Sequence, residues 1–215
     1  MLITCWSVKG GSGATVVAVA LAVLASESSP TWIVDLGGDV PAALGMAEPA
    51  GPGIGHWLEA PAAVGPEALS RLSVEAVGGL SVLPAGTRVQ GPTPRWSSLV
   101  ETLCEREGTV VVDAGCGPPP APLRERSTHD VLVLRPCYLA LRRAAALPRP
   151  PTAVVLVTEP GRALRRVDVE HVIGVPVVAE VEWDPAVARA VDAGLLAGRL
   201  PRSLRGALGA LPWAS

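Results

Sequence analysis

The chain contains no phenylalanine and no asparagine, one glutamine (Gln90), one tyrosine and one lysine. The lysine shortage is the most informative of these. Every other basic residue is arginine, and the single lysine, Lys9, stands inside "VKGGSGAT" (8–15). A drift toward arginine that spares one position implies a compact, flexible ammonium there that a planar guanidinium cannot replace. The four cysteines, Cys5, Cys104, Cys116 and Cys137, form no CxxC pair and have no neighbouring histidine pattern, which excludes a zinc site. Without an export signal they also make no disulfide framework and read as small reduced thiols. The three histidines, His56, His129 and His171, are scattered, as are the six tryptophans, which read as core residues. A net charge of -2 excludes a global field that would draw the chain to nucleic acid. The longest apolar run, "VVAVALAVLA" (16–25), falls short of the ~20 residues that span a bilayer. It follows "MLITCWSV", which is β-prone rather than basic, so it reads as a buried helix and the protein as cytosolic.

What is present is a rhythm. The 215 residues suffice for one domain, 1–215, with a full core. Short β-branched runs at 2–8, 31–36, 80–84, 109–113, 130–135, 152–157 and 175–181 predict seven strands. Several are apolar on consecutive residues, the pattern of strands buried on both faces of a parallel sheet. Helices are predicted between and after them, at 14–26, 94–107, 137–146, 163–172, 185–193 and 201–211. The alternation predicts a doubly wound, mostly parallel α/β sheet with helices on both faces. Residues 47–66, rich in Pro, Gly and Ala, predict a loop with a short helix near 55–60, and residues 114–123 ("AGCGPPPAPL") a loop directly after a strand. Ligands of such sheets bind beyond the carboxyl ends of the strands, where that second loop lies.

The sharpest motif is the glycine loop, Lys9-Gly10-Gly11-Ser12-Gly13-Ala14-Thr15, which follows a strand and opens the helix predicted from 14, with Val16 the last residue of the candidate nucleotide-binding stretch. Gly10, Gly11 and Gly13 let the backbone turn tightly and aim its N–H groups inward. The helix amino terminus adds about half a positive charge, so the loop predicts phosphate binding, with the Thr15 hydroxyl as a Mg²⁺ ligand.

"VKGGSGAT" resembles the deviant phosphate loop of the ParA/MinD superfamily of P-loop ATPases, whose pattern is KGGxGK[ST]. "WIVDLGGDVPAALGM" resembles that superfamily's second motif, "TVVVDAGCGP" its Walker B strand and switch region, and "VIGVPVVAEVEWDPAVARAVDAG" its last strand, adenine loop and following helix. The resemblance covers nearly the whole chain. It implies ATP and Mg²⁺ as ligands, with Asp35 and Asp113 joining Thr15 around the metal, and Trp183, Asp184 and Pro185 beside the base. It also implies that Lys9 is the signature lysine, which reaches a second copy's phosphates across a twofold nucleotide-sandwich dimer.

The departures from the pattern bear on activity. Ala14 replaces the lysine that holds the β and γ phosphates in cis, a loop type that resembles the TadZ/CpaE pilus-positioning branch. Gly37 stands where an Asp orients the attacking water, unless a short gap gives that role to Asp39. The asparagine that reads the adenine edge has no counterpart, and Thr158 stands at its position. Loss of one phosphate lysine predicts roughly ten- to hundredfold weaker binding. Hydrolysis, which depends on positioned charge, is expected to be slow or absent. The expectation is a nucleotide-dependent dimeric positioning switch with at most weak ATPase activity. The alternatives are an active partitioning or septum-site ATPase and a scaffold that has lost nucleotide. Cys116 and Cys137 lack the second pair an iron–sulfur cluster would need. A protein cargo is expected but not identified by the sequence. Two further partners stay open: a membrane for the terminal "LPRSLRGALGALPWAS", and nucleic acid for the arginines at 142–143 and 162–166.

Overall fold

The apolar runs become the strands of one sheet. The computed structural model describes residues 1–76, 78–87 and 93–213. Its strands are β1 (Leu2–Ser7), β2 (Thr31–Asp35), β3 (Val74–Glu75), β4 (Leu80–Leu83), β5 (Thr109–Cys116), β6 (His129–Leu134), β7 (Ala153–Thr158) and β8 (Val177–Glu182). They form an eight-stranded sheet in the order β3-β4-β2-β5-β1-β6-β7-β8. All neighbours are parallel except β3, which runs antiparallel to β4 at the edge. The sequence predicts seven strands. The eighth, β3, is two residues long and too short to show a period.

The helices are α1 (Ala14–Ser26), α2 (Val40–Leu44), α3 (Ile54–Glu59), α4 (Glu67–Leu72), α5 (Arg95–Cys104), α6 (Ala121–Arg126), α7 (Tyr138–Ala145), α8 (Arg166–Ile173), α9 (Pro185–Asp192) and α10 (Arg202–Leu208). They cover both faces. Ile3, Cys5, Ile33, Val111, Val131 and Val155 face α1, α2 and α10, while alternate residues of the same strands face the other way. Leu2, Val34, Val110 and Val112 pack under α3 to α6, and Trp6, Leu132, Leu134 and Leu156 under α7 and α8. α1 is buried along nearly its whole length, which explains why it is apolar all round rather than striped. Each fully buried Val or Leu there contributes ~1.5–3 kcal/mol.

Two predicted helices begin or end inside their expected bounds for visible reasons. α8 starts at Arg166, not 163, because the Asp168 carboxylate accepts the Arg165 N–H at 2.7 Å and caps the first turn. α10 stops at Leu208, capped by Gly209; it lays Leu204 and Leu208 into the core, where Leu211 joins them from beyond the helix, and Arg205 clasps Glu27 through Nη1 at 2.9 Å and Nη2 at 2.6 Å. The apolar face that a membrane would need is thus already covered by protein. Among the described residues no helix is long and apolar enough to cross a membrane.

The topology places the site. β1 lies between β5 and β6, and the chain winds outward from it in both directions. The carboxyl end of β1 is therefore the switch point where the loops diverge and leave a crevice.

Candidate functional site

The glycine loop fills that switch point. It leaves β1 at Ser7 and enters α1 at Ala14. Gly11 has φ 74° and Gly13 has φ 88°, backbone that side-chain-bearing residues rarely adopt. The Ser12 hydroxyl donates to the Lys9 carbonyl at 2.7 Å, and the Ser7 hydroxyl to the same carbonyl at 3.1 Å, so the loop is closed on itself. The Lys9 side chain is exposed at its tip and enters no ion pair among the described residues. Gly10 is exposed with open space around it, and Ala14 is buried in the α1 core.

Two concavities lie at the carboxyl ends of the strands. The first, ≈ 370 Å³, is lined by Asp35, Gly37 and Asp39 from the turn after β2 and by Gly115 to Pro120 after β5. Asp35 and Asp113 are register partners on adjacent parallel strands. Asp35 is fully engaged: the Gly38 N–H donates to Oδ1 at 2.6 Å and the Val40 N–H to Oδ2 at 3.2 Å. These bonds shape the turn that carries Asp39, and burial still pushes the Asp35 carboxyl above the ordinary range. Asp39 stands at the amino-terminal boundary of α2, makes no capping bond there and is exposed.

Asp113 is different. It is wholly buried, yet only Oδ1 is bonded, by the Gly115 N–H at 3.1 Å, and Oδ2 has no partner among the described residues. Burial pushes its pKa up to about 6; the Thr15 hydroxyl and the Gly115 N–H pull it down, and the charges of Asp35 and Asp39 raise it further. Among the described residues that line this concavity none is basic. A buried carboxylate with a free oxygen beside two more acids and a hydroxyl is a costly arrangement that a cation would relieve. Among the described residues no three acid, histidine or cysteine groups could hold a metal by themselves. The donor set suits Mg²⁺, which takes one or two carboxylates and completes its shell with phosphate oxygens and water.

The second concavity, ≈ 320 Å³, is lined by Gly11, Ser12, Gly13 and Val16 of the loop and by Val157, Trp183, Asp184 and Val187 opposite. Trp183 is half exposed, and its N–H donates to the Thr158 carbonyl at 2.7 Å. Asp184 caps α9 by accepting the Ala186 N–H at 2.8 Å, and accepts the Ser203 hydroxyl at 2.9 Å, which ties this loop to α10. These bonds hold its carboxyl below the ordinary range. Pro185 is the first residue of α9 behind it. The space is lined mostly by apolar side chains with a few polar ones, a composition that suits a heterocyclic base.

Sequence reasoning and structure part at three residues. Thr158 does not reach this second concavity. It lies in a separate hollow with Arg162, Arg165 and Glu180, and Val157, one residue earlier, faces the loop instead. Gly37 stands close against the Walker-type strand end: a Cβ there would lie 3.3 Å from Asp113 Oδ2, a tight contact that the carboxylate would have to ease by a small shift, and 3.5 Å from Gly115 Cα. Arg135, which no motif signals, enters the site from the end of β6. Its Nη1 donates to the Gly11 carbonyl at 3.2 Å, and it pairs with Glu159 at the end of β7.

No protein-family model and no curated protein sequence matches the chain. Solved structures do. A ParA family ATPase from Chlorobium tepidum superposes with TM-score 0.76 and 17% identity, covering 96% of this chain and 94% of that one. The cell division ATPase MinD of Pyrococcus furiosus gives TM-score 0.72 and 19% identity over 95% and 93%. The septum site-determining MinD of Pyrococcus horikoshii, complexed with Mg-ADP, gives TM-score 0.69 and 19% identity over 91% and 86%. At such identities the likeness is one of fold: this chain shares the mostly parallel α/β architecture of ParA- and MinD-type ATPases over nearly its whole length.

Proposed function

We propose that the protein is a ParA/MinD-like, ATP-binding dimeric switch that positions or scaffolds another cellular machine, with a degenerate phosphate loop and little or no hydrolysis. The observation that carries this reading is the pairing of the glycine loop with the unpartnered Oδ2 of buried Asp113, beside Thr15. A phosphate cradle and a metal-hungry carboxylate at the same strand ends are what Mg²⁺–nucleotide requires. When bound, Mg²⁺ would neutralise phosphate charge. Thr15 and Asp113 would hold it, with Asp35 shaping the turn beside them. Trp183 and Asp184 flank the space for the base. The structural neighbours support the reading in their own right: one MinD is complexed with Mg-ADP, and a Cyanothece McdA variant with ATP.

Lys9 is free at the loop tip, where it could serve a second copy across a twofold interface. Hydrolysis is weak in this reading because position 14 supplies no charge and position 37 no carboxylate. Asp39 favours the alternative of an active ATPase, because it lines the same concavity as Asp35 and its charge is felt by Asp113.

Titration calorimetry with Mg²⁺–ATP tests the core of this proposal. Micromolar or weaker affinity is expected, and Thr15→Ala should lose the Mg²⁺ dependence. No heat at millimolar ATP moves the protein to a nucleotide-free scaffold.

A further inference from the structure

A nucleoside triphosphate brings several negative charges onto the loop, and backbone N–H groups alone answer only part of that charge. Position 14 offers an alanine methyl buried with α1, and Lys9 stands exposed at the tip. One other cation lines the second concavity beside Gly11, Ser12 and Gly13: Arg135. Its place follows from the sheet. β6 is the parallel neighbour of β1, with Trp6 opposite Leu132, so the residue after β6 emerges next to the loop that follows β1.

Arg135 is held without being used up. Nη1 donates to the Gly11 carbonyl at 3.2 Å, its ion pair is with Glu159, and its side chain remains 35% exposed. A guanidinium fork carries more N–H donors than these two contacts consume. Glu159, moreover, has a second arginine: Arg162 Nε donates to Oε2 at 2.7 Å and Nη2 lies 2.6 Å from it. Two guanidiniums share that one carboxylate, and although Glu182, Asp184 and Asp192 also line the concavity, none of them pairs with Arg135 among the described residues. If Arg135 turned to another anion, Glu159 would still be paired. The charge at the loop is available at low cost.

Resting on the nucleotide-binding reading above, we infer that Arg135 supplies from the neighbouring strand the in-cis phosphate charge that residue 14 lacks. Its guanidinium bonds a phosphate oxygen of a nucleoside di- or triphosphate seated on residues 10–15. Such a charge-assisted bond selects phosphorylated nucleotides over nucleosides and leaves base recognition untouched.

Calorimetry with Mg²⁺–ATP, ADP and adenosine on the unaltered protein and on Arg135→Ala, Arg135→Gln and Arg135→Lys tests this. Ala and Gln are expected to weaken ATP and ADP by roughly ten- to hundredfold. Lys should keep most of the affinity, and adenosine should bind all four proteins alike. Gln can still donate to the Gly11 carbonyl, so wild-type ATP affinity in the Gln variant would reduce Arg135 to a loop clasp and overturn the inference. Glu159→Gln provides an independent arm, because it leaves the site residues in place and removes the competing carboxylate. ATP should then bind severalfold tighter; equal or weaker binding counts against the inference. If the unaltered protein binds no nucleotide, the proposed function falls first and Arg135 with it. If it binds and the Arg135 variants bind equally, only the inference falls.

Discussion

Asp113 should make the empty protein less stable than it could be, and Asp113→Asn measures by how much. Burial is the main reason its pKa rises from 3.8 to about 6. An acid whose folded pKa lies above its unfolded one favours the fold while protonated and opposes it once ionised. The stabilising preference is complete below pH 3.8 and lost as pH rises through about 6, after which the cost stays constant. The full cost is ~3 kcal/mol, of which roughly half develops between pH 5 and pH 8. The asparagine amide escapes ionisation but leaves part of its own hydrogen bonding unmet, at ~1–3 kcal/mol, which does not vary with pH. The difference in stability between variant and unaltered protein is therefore the clean quantity. Thermal melts in chelator, without nucleotide, should show Tm of the variant gaining on the unaltered protein by ~3–6 °C between pH 5 and pH 8. Adding Mg²⁺–ATP should reverse the order at pH 8, because only the unaltered protein gains binding energy. A flat difference across that pH range, or one that shrinks as pH rises, refutes the picture of a carboxylate waiting for a cation.

Other perturbations separate the parts. Lys9→Ala should leave the fold and monomer binding of ATP nearly unchanged while weakening nucleotide-dependent dimerisation in sedimentation velocity. Ala14→Lys should tighten ATP by ~1.5–3 kcal/mol in calorimetry yet leave the rate at saturating ATP low. Brisk turnover would mean that Asp39 already orients water. Asp130→Ala should cost ~3–5 kcal/mol in denaturant unfolding, because the buried Asp130 accepts Trp6 Nε1 at 2.6 Å and pairs with buried Arg124 at 2.8 Å. Gly37→Asp should destabilise rather than restore hydrolysis, chiefly because it adds a further carboxylate beside Asp113, already raised by burial, Asp35 and Asp39, with its Cβ 3.3 Å from Asp113 Oδ2.

Most of the architecture was legible because the strands bury both faces. Runs such as "TVVVD" have no polar residue to spare until the strand reaches its functional end. The elements that escaped were short or were introduced by proline. α6 begins inside the stretch that reads as a loop, and Pro122 sits in its first turn. A proline there has no hydrogen bond to lose and a φ already suited to a helix, so the residue that signals a break in the sequence starts a helix in the fold. Pro41 does the same in α2.

The site was legible only where neighbours in sequence are neighbours in space. The glycine loop is one unbroken segment whose chemistry depends on consecutive residues. Thr158 and Val157 are one step apart: in a strand successive side chains alternate faces, so Val157 lines the hollow beside the loop and Thr158 a separate one. Position along the chain fixes which strand end a residue occupies but not which way it points. The same asymmetry explains Ala14 and Arg135. A missing lysine is visible as soon as the motif is written out, because the motif is contiguous. A replacement charge arriving from another strand, 124 residues away, leaves no mark in any motif. It needs only that β6 lie beside β1 and that the first residue beyond it be long and basic. Degeneracy inferred from a loop alone therefore measures the loop and not the site, and the charge balance at the phosphates has to be drawn up from every strand end that faces them.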